Sequence, residues 1–98
     1  MELGIEWTDQ AKSEFNKIMA YLTTFWGRRV ASEFQNKVEK TLRLVSLFPT
    51  MFPSAGNKVR RCVITKHNTL YNRISQERIV VLTIWDNRRN PEDFELSM

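Results

Sequence analysis

The sequence predicts an α+β fold in which an antiparallel two-helix hairpin packs on one face of a mostly antiparallel four-stranded sheet. Three observations predict it. A short alternating segment opens the chain, the first half then carries apolar residues at helical spacings of three and four, and the stretch from Val59 to Trp85 follows the period of strands. The predicted element order is therefore β-α-α-β-β-β.

Length and composition bound the architecture. The 98 residues are 42% hydrophobic and 27% charged, which is typical of a folded chain and excludes a disordered or collagen-like one. A chain of this length supports one core, so we expect a single domain over residues 1–98. The lone Cys62 excludes an internal disulfide, and with the only histidine, His67, it falls short of a four-ligand zinc site. We therefore expect no metal and no cofactor.

The chain carries no signal for a membrane or for export. No apolar run approaches the roughly 20 residues that cross a bilayer, and the N-terminal residues lack the basic flank and apolar stretch of a secretory signal. A single cysteine fits a reducing compartment. We expect a cytoplasmic protein that does not bind a membrane.

The first two elements are a short strand and a long helix. Residues 3–7 alternate between apolar types and small or polar ones, which predicts a strand with one buried face. Thr8 is a good N-cap, and Asp9 places negative charge in the first helical turn. An apolar stripe follows and predicts a helix whose stripe faces the core. Its members are Ala11, Phe15, Ile18, Met19, Leu22, Phe25 and Trp26.

A second helix follows almost directly. Gly27 interrupts the apolar pattern, and a new stripe begins after Arg28. Its members are Val30, Ala31, Phe34, Val38, Leu42 and Val45. Because so short a connection separates the helices, they must fold into an antiparallel hairpin, with Phe34 in the core.

Three strands follow a loop that is rich in Pro, Gly, Ser and Asn between Pro49 and Lys58. They are predicted at Val59–Thr65, Thr69–Ser75 and Arg78–Trp85 and are joined by short turns. The last strand is nearly continuous in apolar residues. It should therefore be central in the sheet, with both of its faces covered.

One face of the predicted sheet lacks an obvious cover. The apolar stripes of the two helices can cover only the other face, and few residues follow the last strand. Phe94 and Leu96 of that tail could fold onto the open face, or a second copy or a partner could cover it. The sequence alone leaves these alternatives open.

Positive charge is concentrated in the second half of the chain. The net charge is +4, whereas residues 57–91 hold eight Lys or Arg against only Glu77 and Asp86. Such a surface is typical of a protein that meets a polyanion, or of a solvated arginine-rich sheet. Composition alone favours the second interpretation.

An ordered set of short motifs covers nearly the whole chain. The motifs are Trp7-Thr8, Tyr21-Leu22, Trp26, Leu47-Phe48-Pro49, Val59-Arg60-Arg61, Leu70-Tyr71-Asn72-Arg73-Ile74 and the run from Ile79 to Pro91. At this length the set resembles the RelE/ParE superfamily, the toxin halves of type II toxin–antitoxin (plasmid stabilisation) modules. The resemblance implies a cytoplasmic toxin that a cognate antitoxin holds inactive by wrapping it with an extended segment. Operator DNA would be reached only through the antitoxin.

The superfamily divides by target. RelE-type members cut messenger RNA on the ribosome, whereas ParE-type members are known for poisoning DNA gyrase. Arg88 occupies the place of an arginine that RelE-type enzymes use at the reacting phosphate, but Ile64 stands where they carry another catalytic arginine, and no tyrosine or histidine follows Trp85. The resemblance therefore implies a ParE-like toxin that inhibits growth by binding an essential cellular target. The alternatives are a RelE-like ribosome-dependent endoribonuclease and a degenerate member that binds only its antitoxin.

The candidate catalytic residues apply only to the RelE-like alternative. RNA cleavage without a metal needs a base, an acid and cations at the phosphate. Arginine suits the phosphate because its fork matches two oxygens. His67 is the only side chain whose ordinary pKa lies near neutrality, although a predicted turn favours a plain exposed residue there. The candidates are Arg88, Arg61 and His67.

The remaining candidates would bind the antitoxin or the target. They are Arg60, Arg73, Trp85, Asp86 and Arg89. Asp86 could act as a base or pair with a neighbouring arginine, and Trp85 could stack on a base or belong to the core. We expect an acidic, largely disordered antitoxin segment to cover the open sheet face, with Arg60, Arg61 and Arg73 pairing its carboxylates.

Overall fold

A computed structural model describes residues 3–89 and confirms the predicted α+β class and element order. The elements are β1 (Gly4–Trp7), α1 (Asp9–Trp26), α2 (Arg28–Leu47), β2 (Val59–Thr65), β3 (Asn68–Ser75) and β4 (Arg78–Asp86). The bounds of β1, β3 and β4 differ from the prediction by one residue, because strand ends depend on pairing as well as on side-chain pattern. Within the described range, neither helix combines the length and apolar character needed to span a bilayer.

The four strands form one sheet in the order β1-β4-β3-β2. β4 pairs in parallel with β1 and antiparallel with β3, and β3 pairs antiparallel with β2. The prediction that β4 is central is confirmed. Its outer face is less covered than predicted, because Val80 and Leu82 are only half-buried. The predicted cover by Phe94 and Leu96 lies outside the described residues.

Thr8 joins the end of β1 to the start of α1. Its hydroxyl accepts a hydrogen bond from Ala11 N at 3.1 Å, as predicted for an N-cap, and donates to Leu82 O at 3.0 Å. The pairing of β1 with β4 stops at Trp7 and Val81. Among residues 3–89, the rest of β4 therefore has no strand on this side.

The core lies between the helical hairpin and the side of the sheet that faces it. Phe34 is only 5% exposed, as predicted, and stacks on Phe15 with 6.2 Å between ring centroids. Phe15 in turn meets Trp7 edge-on at 5.5 Å. The other buried members of this core are Ala11, Val38, Leu42, Val45, Cys62, Ile64, Leu70, Ile79, Val81 and Ile84.

The end of α1 departs from its predicted apolar stripe. Phe25 and Trp26 are 70% and 65% exposed, so the prediction that the whole stripe faces the core is wrong for these two residues. The sheet does not fill the space beneath the last turns of α1, where a cleft lies instead. The apolar stripe of α1 therefore continues into its last turn, although the sheet no longer lies beneath that turn.

Gly27 makes the turn between the two helices. Its φ of 94° and ψ of 166° lie in a region that is essentially restricted to glycine, because a Cβ would collide with the neighbouring backbone. No other part of the described protein lies within 4 Å of the place where a Cβ would stand. The position therefore needs glycine for its backbone conformation rather than for packing.

We expect Gly27→Ala to lower the free energy of unfolding by about 1 to 3 kcal/mol, the cost of holding an alanine in that conformation. Urea denaturation would measure it. Gly4→Ala is a matched control, since its added methyl group would meet only Arg78 Cγ at an ordinary 4.0 Å. Equal unfolding midpoints for the two variants would contradict this account of the turn.

One extra residue interrupts the regular pairing of β4. Val81 and Thr83 pair with adjacent residues of β3, so Leu82 forms a bulge. Strand side chains alternate between the two faces, and an extra residue reverses the alternation beyond it. Val81 before the bulge and Ile84 after it consequently both face the core. Asp86, two residues further on, comes to the helix side of the sheet as well.

Candidate functional site

A cleft of about 670 Å³ opens between α1, the start of α2 and the end of β4. Its walls are apolar and its rim is charged. The apolar walls include Ile18, Leu22, Trp26, Val30 and Ile84. The charged and titratable side chains at the rim include Lys17, His67, Asp86, Arg88 and Arg89. A cleft of this size with convergent polar groups is the first candidate for a binding site.

Asp86 holds Arg88 by a two-pronged ion pair at the rim of this cleft. Arg88 Nε donates to Asp86 Oδ1 at 2.9 Å, and Nη2 donates to Oδ2 at 2.8 Å. The backbone N–H of Arg88 also donates to Oδ1, at 2.9 Å. Of the two roles predicted for Asp86, the structure therefore shows the ion pair with a neighbouring arginine.

The ion pair leaves one side of the guanidinium open. A guanidinium carries five N–H groups, and Asp86 takes two of those on Arg88, so three remain without a partner among residues 3–89. The Arg88 side chain is 73% exposed. Arg88 is thus held in a fixed direction while it keeps a fork that can bind a carboxylate or a phosphate.

The hydrogen bond from the Arg88 side chain lowers the pKa of the Asp86 carboxyl from 3.8 to about 2. The same bond raises the pKa of Arg88. A lowered carboxyl pKa means that the pair stabilises the folded protein at pH values above 3.8, and that this contribution is lost as the pH falls through about 2. The pair is therefore fully charged at neutral pH.

We expect an NMR titration of the side-chain carboxyl carbons to give Asp86 a pKa of about 2. In Arg88→Ala the same carboxyl should titrate near its ordinary value of 3.8, because its main hydrogen-bond donor is gone. Identical Asp86 titrations in the two proteins would contradict the geometry of the pair.

Asn87 links the segment after β4 to the β2–β3 turn by hydrogen bonds. Its side chain accepts from Thr69 Oγ1 at 2.7 Å and donates to Lys66 O at 3.1 Å, while its backbone N–H donates to His67 O at 2.8 Å. His67 is an exposed turn residue. These bonds bring His67 and Arg88 to the same cleft.

The predicted arginines lie on two different faces of the sheet. Arg61 and Arg73 are exposed on the outer face, away from the helices, at positions paired with Tyr71 and Val59. Arg60 lies on the opposite face of β2, where its Nη1 donates to the carbonyl of the preceding loop at 3.0 Å. The three arginines expected to pair an antitoxin's carboxylates therefore do not share one surface.

The candidate catalytic residues are not brought together either. His67 and Arg88 line the cleft on the helix side, whereas Arg61 lies on the outer face of the sheet. An acid–base pair must be within hydrogen-bond reach of the atoms that react. The described residues thus do not assemble Arg61, His67 and Arg88 into one catalytic set.

Trp85 lies within the structure rather than at its surface. Only 4% of the residue is exposed, and Arg89 Cζ lies 4.3 Å from the centroid of its ring, a cation–π distance. A ring in this position is not open to a nucleic-acid base. Of its two predicted roles, the buried one is observed.

Residues 5–91 match the family described as the ParE toxin of type II toxin-antitoxin system, parDE. The chain belongs to this ParE toxin family. The predicted membership of the RelE/ParE superfamily is thereby confirmed. No curated protein matches the chain in sequence.

The fold of this ParE-family chain is shared by chains of solved toxin and toxin–antitoxin structures at low sequence identity. A chain of the chromosomal ParDE system from P. aeruginosa superposes with a TM-score of 0.72 at 16% identity, over 87% of this chain and 96% of that one. The YoeB/ParE toxin from Agrobacterium tumefaciens gives 0.64 at 14% identity, over 87% and 99%. The E. coli DinJ-YafQ toxin-antitoxin complex gives 0.61 at 10% identity, over 90% and 96%. At these identities the likeness establishes the fold alone.

Two residues that hold the site of this ParE-family chain escape sequence analysis. Asn87 carries a weak signal, because asparagine is common where a strand gives way to a turn. Glu14 carries no such signal, since in the sequence it is one of several charged residues beside the apolar stripe of α1. In the structure its Oε1 accepts from Thr83 Oγ1 at 2.6 Å and from Ile84 N at 3.2 Å. It thereby binds the part of β4 that β1 does not reach.

The thiol of Cys62 in the ParE-family chain is buried and poorly suited to act as a nucleophile. Burial raises the pKa of Cys62 to about 11, even though Asn72 Nδ2 donates to its sulfur at 3.3 Å. The thiolate is the reactive form, and it is scarce at neutral pH with such a pKa. Across residues 3–89, no group of three His, Cys, Asp or Glu side chains could hold a metal ion.

Proposed function

We propose that this ParE-family chain is a cytoplasmic toxin that inhibits growth by binding an essential cellular protein, with DNA gyrase as the target that the resemblance to ParE-type members implies. The observation that carries the proposal is the cleft with Arg88 at its rim. It offers apolar walls, an exposed Trp26 and an oriented arginine fork, which are the features of a protein-binding hot spot. The separation of Arg61 from His67 and Arg88 supports binding rather than RNA cleavage.

The proposed neutralising partner is a cognate antitoxin with an acidic, extended segment. Two of the solved chains with this fold come from toxin–antitoxin systems. On the outer face of the sheet, Arg61 lies two positions before Val63, whose exposed fraction is 66%, and Arg73 lies on the same face opposite Val59. Alternating carboxylates and apolar side chains of one extended strand would suit this surface. Any contact with operator DNA would then pass through the antitoxin.

A RelE-like endoribonuclease is the second candidate, and one observation favours it. His67 and Arg88 line the same cleft, so a titratable imidazole and a phosphate-binding fork do share a site. Cleavage would also require a second acid or base within reach of the reacting atoms. Lys17, Tyr21 and Asp86 line the same cleft, and Asp86 is already bonded to Arg88.

Two assays run in parallel on the purified protein distinguish the candidates. One measures DNA supercoiling by gyrase, and the other measures cleavage of messenger RNA on translating ribosomes. We expect inhibition of supercoiling, reversed by the small protein encoded beside the toxin gene, and uncut messenger RNA. Cleavage in the ribosomal assay with normal supercoiling would replace the proposal by the RelE-like alternative.

A further inference from the structure

The direction of Arg88 depends on the bulge in β4. Before the bulge, Ile79 and Val81 face the helices; after it, Ile84 faces them. Regular alternation from Val81 would have placed residues 83 and 85 on the helix side and residues 84 and 86 on the outer face. The bulge at Leu82 therefore decides that Asp86, and the arginine bound to it, stand at the cleft.

Glu14 binds β4 at the first residues after this bulge. Its Oε1 accepts from the hydroxyl of Thr83, which is 1% exposed, at 2.6 Å. The same oxygen accepts from the backbone N–H of Ile84 at 3.2 Å. A hydrogen bond to a carboxylate at 2.6 Å is among the stronger ones in proteins. The described part of the chain supplies no strand partner at this edge, because the pairing of β1 ends at Val81.

We propose that Glu14 is a positioning residue: by holding the β4 bulge, it places the Asp86–Arg88 pair at the cleft rather than on the outer face. The proposal rests on the function proposed above, in which Arg88 contacts the target. Glu14 also lines the cleft, so the pKa of Asp86 in the free protein, which no contact with the target affects, distinguishes positioning from a direct contact. Glu14 acts through Thr83 and Ile84 of β4, three and two residues before the strand ends at Asp86.

The acceptor oxygen, rather than the charge, is the group that this role requires. Thr83 and Ile84 both donate to Oε1 alone, so glutamine can present the same oxygen in the same place. Alanine offers no acceptor and leaves two donors of β4 unbonded. Glu14→Gln should therefore rescue what Glu14→Ala loses.

The experiment compares Glu14→Ala, Glu14→Gln and the unchanged protein by the NMR titration of Asp86 and by inhibition of gyrase. In Glu14→Ala we expect the pKa of Asp86 to rise from about 2 toward 3.8 and inhibition to weaken about tenfold or more. In Glu14→Gln the pKa of Asp86 and the inhibition of gyrase should both stay close to those of the unchanged protein. An Asp86 titration that is the same in all three proteins would overturn the proposal.

Two further variants separate positioning from a general loss of stability. Val38→Ala removes core packing on α2 and should lower the melting temperature while leaving the Asp86 titration unchanged, because an apolar valine takes no part in the hydrogen bonds of Thr83, Ile84 or Asp86. Thr83→Val removes one of the two donors with little change in shape. It should raise the pKa of Asp86 part of the way from about 2 toward 3.8. If Glu14→Ala does not fold, an unchanged titration in Thr83→Val overturns the proposal in its place.

The two measurements also separate this proposal from the proposed function. If the unchanged protein does not inhibit gyrase, the proposed target is wrong, and the Asp86 titration still decides whether Glu14 positions the pair. If gyrase is inhibited but the titration in Glu14→Ala matches that of Glu14→Gln, the target stands and the role of Glu14 is refuted.

Discussion

Replacing Arg88 by alanine is expected to abolish growth inhibition in cells while the protein stays folded and still binds its antitoxin. Arg88 stands exposed at the rim of the cleft with a free side of its guanidinium, so its loss removes a contact to the target. An exposed ion pair contributes little to folding. Growth of cells that express the variant, with its melting curve and antitoxin binding measured on the purified protein, would test this expectation.

Arg29→Ala is the matched control for Arg88→Ala. Arg29 is also an exposed arginine in an ion pair, with Glu33 at 3.3 Å, but it lies on α2 outside the cleft. It should keep full toxicity. A second variant tests whether Arg88 merely satisfies Asp86: if removal of Asp86 restores toxicity to the Arg88→Ala protein, the arginine serves the aspartate and not the target. Full toxicity of Arg88→Ala alone would remove Arg88 from the site.

Phe34→Ala should have the largest effect on stability, a loss of roughly 3 to 5 kcal/mol in the free energy of unfolding. Phe34 of α2 is buried in the core and stacks on Phe15 of α1, so its truncation leaves a cavity in the core. The loss is a large share of the roughly 5 to 15 kcal/mol that holds a domain together. For a chain of this size it corresponds to a fall in melting temperature of roughly 12 °C or more.

Phe25→Ala is the control for this second prediction. The two residues are the same amino acid on the same hairpin, but Phe25 is largely exposed at the end of α1. Its truncation should change the free energy of unfolding by less than about 0.5 kcal/mol. Loss of toxicity in Phe34→Ala would then report unfolding rather than a lost contact. Unchanged melting of Phe34→Ala would refute its place in the core.

The elements of the fold could be predicted because each carries a clear period. The stripes of α1 and α2 and the apolar run of β4 depend only on which side chains face the core. The exposure of Phe25 and Trp26 could not be predicted, since it depends on where the sheet ends beneath α1. The spacing of apolar residues along a helix does not show how long the surface is against which the helix packs.

The site was harder to predict, because it depends on a single extra residue in β4. An apolar run looks the same with or without a bulge, so the face of Asp86 and Arg88 could not be deduced from the sequence. The placement of Arg60 and Arg61 on opposite faces could have been deduced, since neighbouring side chains in a strand alternate between the two faces. The resemblance to the RelE/ParE superfamily pointed to Arg88 but carried no information on Glu14, whose partners lie about 70 positions away.

The most direct test of this account is the inhibition of DNA supercoiling by gyrase, measured over the same range of concentrations with the unchanged protein and with Arg88→Ala. We expect the unchanged protein to inhibit gyrase and the folded Arg88→Ala protein not to inhibit it. Equal inhibition by both proteins would contradict the assignment of Arg88 and its cleft as the site that binds the target.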